Sequence, residues 1–240
     1  MDLALKKQIL QKAQDWFVES IAQNHIKNTE KLIKPTAFKI NPFTAVYLAN
    51  FLTGNSNPES IAKALVYPRV LGTSITTSFG TNIQKFTSEV LSAFGSTTSG
   101  IDIEFIDQLD GFKKYCQMKS GPETINKDDV ETIAKHFSGV LNLAKTNSLR
   151  IAHSDMIVGV LYGDSGDLNA HYKRITSEYH FPVYIGQNFW HRLTGDESFY
   201  AELIASIGSV AVEANFAKEL EDVISELSAS STIVQLSQMS

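Results

Sequence analysis

The sequence predicts an α/β protein in which a mixed central sheet is flanked by helices and preceded by a helical subdomain. Three observations carry that expectation. Apolar residues recur at helical spacing through the first seventy residues, two strand-like segments meet around Asp110-Gly111, and two short apolar runs follow an amphipathic helix.

Residues 3–24 place Leu5, Ile9, Leu10, Ala13, Trp16, Phe17 and Ile21 on one helical stripe. Pro42 and the run of Gly54, Asn55, Asn57 and Pro58 punctuate two further helices, near 43–53 and 58–66. Residues 1–70 therefore read as a helical subdomain. A helix over 77–93 ends at the loop Gly95–Gly100, and strands follow in IDIEFI and FKKYCQMK. Between them, Asp110-Gly111 reads as a two-residue hairpin loop, because both positions tolerate positive φ. After Pro122, the residues Val130, Ile133, Ala134, Phe137, Val140, Leu141 and Ala144 mark a helix over 127–145 that should cover one face of the sheet. MIVGVLY (156–162) and PVYIG (182–186) read as buried strands, and a long helical pattern fills 197–227. The expected organisation is one domain over 1–240, with a core at 71–195, a C-terminal helix at 196–227 and a frayed Ser/Gln-rich tail at 228–240.

A chain of 240 residues can bury a substantial core, and 43% apolar with 20% charged residues suits a packed fold. Cys116 is the only cysteine, which excludes an intrachain disulfide and a cysteine-based zinc site and fits a reducing cytoplasm. The opening stretch is broken by Lys6, Lys7, Lys12 and Asp15, unlike a signal peptide, and no run approaches the ~20 apolar residues of a membrane span. A cytoplasmic protein with no membrane partner is expected. The net charge of -5 argues against nucleic acid until its distribution is read. Eight of the 26 acidic residues fall after Thr194 against Lys218 alone, so the rest of the chain is slightly basic.

With a two-residue loop, Asp102 falls opposite Lys119, Glu104 opposite Gln117 and Ile106 opposite Tyr115, all on one face. The other face carries Ile101, Ile103, Phe105, Cys116 and Met118 and suits a covering helix. Two carboxylates, an amide and an ammonium on one hairpin suit phosphodiester cleavage. Magnesium prefers hard oxygen ligands, polarises a phosphate and lowers the pKa of an attacking water, while a lysine orients that water or steadies charge on the phosphate. Gly100, lacking a side chain, would let a DNA backbone approach closely. Spacing alone is equally compatible with a cross-strand salt bridge between Asp102 and Lys119 on a solvent-facing sheet.

The segment GIDIEFID, followed by YCQMKSGPETINKDDV, resembles the active-site segment of the PD-(D/E)XK nuclease superfamily, and specifically small type II restriction endonucleases. The likeness spans about residues 69–195 and is similar to enzymes cutting GGNCC-type sites. It implies a restriction-endonuclease-like fold with 71–195 as the catalytic core. Residue by residue, Asp102 takes the first acid position, Gln117 the second and Lys119 the lysine, with Glu89 available as an acidic ligand from the preceding helix. Gln117 departs from the usual Glu or Asp; its amide oxygen can bind a metal but brings no charge, which admits Glu104 as a substitute carboxylate.

The resemblance implies a magnesium-dependent homodimer that cuts double-stranded DNA at a short palindrome and leaves 5′-phosphate and 3′-hydroxyl ends. A repair nuclease or exonuclease on the same fold, or a non-catalytic DNA-binding protein, are the alternatives. Candidate DNA contacts are Arg69, Lys85, Lys113, Lys114, Lys127, Arg150, Lys173, Arg174, His191 and Arg192. His191 and Arg192 stand out in NFWHRLTGD, where packing around Trp190 is the other explanation. Rival motifs fail. Gly95–Gly100 has P-loop spacing but is followed by Ile101 and Asp102, so no nucleotide cofactor is expected. The six histidines show no compact metal spacing and read as surface or core, and Asp164 and Asp167 in GDSGD read as a solvated turn.

Overall fold

A computed structural model describes residues 2–213 and 216–239 of the chain. Six helices precede the sheet: α1 (Leu3–Phe17), α2 (Gln23–Glu30), α3 (Pro42–Thr53), α4 (Pro58–Pro68), α5 (Ser74–Thr81) and α6 (Ile83–Glu89). Strands β1 (Ile103–Ile106) and β2 (Lys113–Lys119) form a hairpin, followed by α7 (Lys127–Thr146), β3 (Met156–Val160), α8 (Ala170–Tyr179) and β4 (Val183–Ile185). Then come α9 (Gly186–Thr194), α10 (Phe199–Glu213), α11 (Phe216–Ser228) and α12 (Ser231–Gln238). The chain divides into two compact units, one of the stretch up to Trp16 with Gly80–Ile207, the other of Phe17–Phe79 with the stretch from Gly208.

The first unit holds a mixed sheet in the order β1-β2-β3-β4, antiparallel in the hairpin and parallel thereafter. Parallel strands need crossover connections, and α7 and α8 supply them. Val130, Ile133 and Phe137 of α7 and Tyr172 and Ile175 of α8 bury one face, against Met156, Val158, Val160 and Ile185. On the other face, Phe189 of α9 meets Phe105 edge to face at 6.4 Å. A Cβ on Gly159 would come within 2.5 Å of the Phe189 ring, so glycine there sets how closely α9 lies on the sheet. The first helix belongs to this unit: Trp16 packs against Phe86 at 4.9 Å, and Lys6 pairs with Asp196 and Glu202.

The second unit is helical. Asn41 and Asn57 cap α3 and α4, each followed by a proline at the first helical turn, and Gly54 ends α3 at φ +77°. Ala49, Ile61, Ala62 and Val66 pack with Val223, Ile224, Leu227, Ile233 and Leu236 from the C-terminal helices.

Several expectations need correction. The tail expected to fray is α12, because Ile233 and Leu236 bury against α4 and α11; short polar residues around them masked a two-point apolar anchor. The helical subdomain is not the first seventy residues but Phe17–Phe79 together with the stretch from Gly208. The helix expected over 77–93 is two short ones, since Asn82 leaves helical geometry at φ -97°, ψ 9°. The long helical pattern at 197–227 is likewise α10 and α11. Helices α8 and α9 escaped notice because each is short and α9 starts directly off β4 at Gly186, φ +50°.

The hairpin register also differs. Ile103 pairs with Cys116, Glu104 with Tyr115, Phe105 with Lys114 and Ile106 with Lys113, a shift of two from the expected pairing. Asp107 causes it. Its backbone N–H donates to Phe112 O at 2.9 Å, its own carbonyl accepts from Gly111 N at 2.8 Å, and its side chain accepts from Leu109 N at 2.9 Å. The loop is therefore four residues, and only Gly111 of the Asp110-Gly111 pair takes positive φ.

Candidate active site

A shift of two leaves every side chain on its original face. Glu104, Tyr115, Gln117 and Lys119 still share one side, but α7 lies over that side rather than over the other. The polar set sits at the margin of the α7 layer instead of on an open sheet.

Asp102 stands one residue before β1 and brackets Gln117. Its backbone N–H donates to Cys116 O at 2.9 Å, and its Oδ2 accepts the Met118 backbone N–H at 2.7 Å. Burial pushes the Asp102 carboxyl above the usual range; the Met118 hydrogen bond and the Lys119 charge oppose this without cancelling it. Gln117 is nearly buried, and its Nε2 donates both to Gly100 O and to His136 Nδ1, the latter at 2.7 Å. Lys119 Nζ lies 3.7 Å from Asp129 Oδ1 on α7, and Asp129 Oδ2 caps that helix by accepting Asn126 N–H.

The structure thus joins Asp102, Gln117 and Lys119, the three central residues of the sequence reading. It does not join the two proposed extra acids to them. Glu104 is committed elsewhere: Oε1 accepts from Ser96 Oγ and Thr98 Oγ1, and Oε2 pairs with Lys113 at 2.6 Å. Burial opposes its charge, but these hydrogen bonds outweigh burial and hold Glu104 below the ordinary carboxylate range. Glu89 is exposed at the end of α6, beside Lys85 at 3.8 Å. Among the described residues, no three of His, Cys, Asp and Glu gather into a metal-holding group.

The oxygen set still fits a hard divalent cation. Asp102 Oδ1 and Gln117 Oε1 take no part in the bonds just described, and a carboxylate destabilised by burial is one that a cation would relieve. Magnesium commonly takes only one or two carboxylates from a protein and completes its shell with water and substrate phosphate.

One candidate DNA contact is buried and a second is half-buried against an interior aspartate. Lys114 is 2% exposed and bridges Asp110 at 3.0 Å and Asp155 at 3.1 Å, while Arg192 Nη1 meets the fully buried Asp107 at 2.7 Å and its guanidinium lies 4.2 Å over Tyr184. Asp155 lies 41 positions from Lys114 and Asp107 lies 85 from Arg192, so spacing does not pair them; only Asp110, four residues before Lys114, is a local partner. Lys113 is tied to Glu104, and Arg174 to Glu178 at 2.6 Å. Arg69, Lys127, Arg150 and Lys173 are exposed, and His191 is half-buried on α9. The space that a Gly100 side chain would take is filled by His136: an added Cβ would lie 2.6 Å from its ring. His136 and Asp129 are the residues the sequence reading missed. Their signal is a seven-residue spacing that puts both on the flank of the buried α7 stripe.

A mixed sheet with an acid ahead of one hairpin strand, an amide-X-lysine on the next and a helix over the set is the restriction-endonuclease-like nuclease architecture. A family model described as type II restriction endonuclease EcoO109I matches residues 18–215, and the chain belongs to that family. No curated protein matches it. Among the described residues no helix is long and apolar enough to cross a membrane.

Proposed function

We propose that this restriction endonuclease is a cytoplasmic homodimer that hydrolyses double-stranded DNA at a short palindromic site of the GGNCC type, with magnesium, to 5′-phosphate and 3′-hydroxyl ends. The observation that carries the reading is the convergence of Asp102, Gln117 and Lys119 at the end of β2 in a chain of this family. Asp102 and Gln117 hold the ion through carboxylate and amide oxygens. Bound magnesium supplies a Lewis acid for the scissile phosphate. Lys119 orients the attacking water and steadies charge growing on the phosphate, and Asp129 keeps its ammonium near the site.

The dimer reading is supported by α3. From Ile40 to Pro58 the chain has no charged residue, yet Phe43, Tyr47 and Phe51 are 87%, 65% and 78% exposed, beside Leu48 and Leu52. Positions 43, 47 and 51 form one i, i+4 ridge of the kind that packs into a partner helix. With ~150–250 Å² for each whole aromatic, the three rings expose about 350–575 Å² per copy before Leu48 and Leu52 are counted. Two copies then bring about 700–1,150 Å² from the rings alone, the bulk of the ~1,200 Å² at which specific interfaces begin. A digest of a sequenced plasmid with magnesium, mapped at nucleotide resolution, tests the activity: discrete fragments with 5′-phosphates are expected. Progressive shortening from ends, or binding without cleavage, would overturn the reading.

A further inference from the structure

We propose that His136 is a positioning residue for the metal site: by accepting a hydrogen bond from the Gln117 amide, it holds that amide with its carbonyl oxygen turned toward the cation. The inference rests on reading Asp102 and Gln117 as metal ligands.

A carboxylate presents an oxygen whichever way it turns, but an amide has one end that can bind a cation and one that repels it. A glutamine in the acid position therefore needs something to set its orientation. Two acceptors do so here. Gly100 O can only accept, so the atom bonded to it is Nε2 and not Oε1. The same nitrogen lies 2.7 Å from His136 Nδ1, which must accept as well, and the neutral ring then carries its proton on Nε2. Both amide N–H groups are spent, and Oε1 is left on the far side of the amide carbon. A flipped amide would put Oε1 against the Gly100 carbonyl with no proton between them, and could meet His136 only if the ring moved its proton to Nδ1; leaving such groups unsatisfied is costly.

The surroundings are shaped to this histidine. Gly100 takes φ +77°, and a Cβ there would stand 2.6 Å from His136 Cγ and 2.9 Å from Nδ1, so only glycine leaves room for the ring. His136 follows Asp129 by seven residues, so one flank of α7 bears on Gln117 and Lys119 together. Gly100, Gln117 and His136 form a matched set: the amide that replaces the usual acid comes with its own orienting acceptor and the gap that admits it.

Calorimetric titration of Mn2+ into the full-length, DNA-free protein tests this, with the melting profile of each variant confirming its fold. His136→Ala and His136→Leu both remove the acceptor but differ in bulk, so at least one should pack. Outer partners of metal ligands commonly change affinity ~10–100-fold, and a loss of about 10-fold is expected. His136→Asn should recover most of it, because Asn Oδ1 falls where Nδ1 stood. In a Gln117→Ala background, removing the acceptor should change nothing further. Acceptor-free variants that bind Mn2+ like wild type, or a loss that persists without Gln117, would overturn the role of His136. Asp102→Asn separates the two proposals: if it binds Mn2+ as tightly as wild type, the metal-site reading itself is wrong.

Discussion

Replacing Arg192 with alanine should destabilise the protein severely, and the reason is the residue it leaves behind. Asp107 is fully buried, and its Oδ2 lies 2.7 Å from Arg192 Nη1; its other oxygen is held by the Leu109 N–H. Removing one partner of a buried pair strands the other charge, which costs ~3–5 kcal/mol. Arg192 keeps a fifth of its side chain accessible, so water can partly replace the guanidinium and the lower end, about 3 kcal/mol, is expected. The lost packing on Tyr184 at 4.2 Å adds to it. For a chain of this size, ~1 kcal/mol moves the melting temperature by ~2–4 °C, so a drop of about 6–12 °C should appear in differential scanning calorimetry. Adding Asp107→Asn should restore much of the loss, since asparagine still accepts from Leu109 but carries no charge. A single variant that melts within about 2 °C of wild type while losing DNA affinity would refute this placement and return Arg192 to the DNA surface.

Lys119→Ala should abolish cleavage yet change stability by less than about 1 kcal/mol, because its contact to Asp129 is long and partly solvated; a variant that cuts normally would exclude the assigned role. Asp102→Asn should also abolish cleavage, but raise the melting temperature in EDTA at neutral pH. The folded pKa of Asp102 is raised, so its stabilising contribution is present below the ordinary value near 3.8 and lost as pH rises through the folded value. The gap between variant and wild type should therefore open with rising pH, and a constant gap would contradict it. Truncation after Ala229 should lower stability by up to ~3–6 kcal/mol, the burial of Ile233 and Leu236, as urea unfolding would register. Tyr47→Asp with Phe51→Glu should convert a sedimenting dimer to a monomer without changing the melt of the helical unit; an unchanged sedimentation coefficient would remove α3 from the interface.

The face that Gln117 and Lys119 share is legible in the sequence for a reason that also explains where the reading fails. Strand side chains alternate with period two, so identifying IDIEFI and YCQMK as adjacent strands already decides which residues share a face. A register error of two changed every cross-strand neighbour but moved no residue between faces; an error of one would have dispersed Gln117 and Lys119 from Glu104 altogether. What did not follow from alternation was which helix covers which face. The hairpin's apolar side looked like the natural seat for α7, yet α7 lies over Gln117 and Lys119, because the parallel crossover to β3 carries it there with Val130, Ile133 and Phe137 facing Met156, Val158 and Val160. The same choice hid His136 among six unremarkable histidines and hid Asp107 in a loop read as two residues shorter. Each of these side chains owes its role to a partner at least nineteen positions away: Gln117 for His136, Arg192 for Asp107. Local pattern encodes faces and turns. Tertiary pairing decides which of the charged and polar residues become buried partners, and in this protein it commits Lys114 and Arg192 to aspartates of the fold while Asp102, Gln117 and Lys119 meet at the edge of the α7 layer.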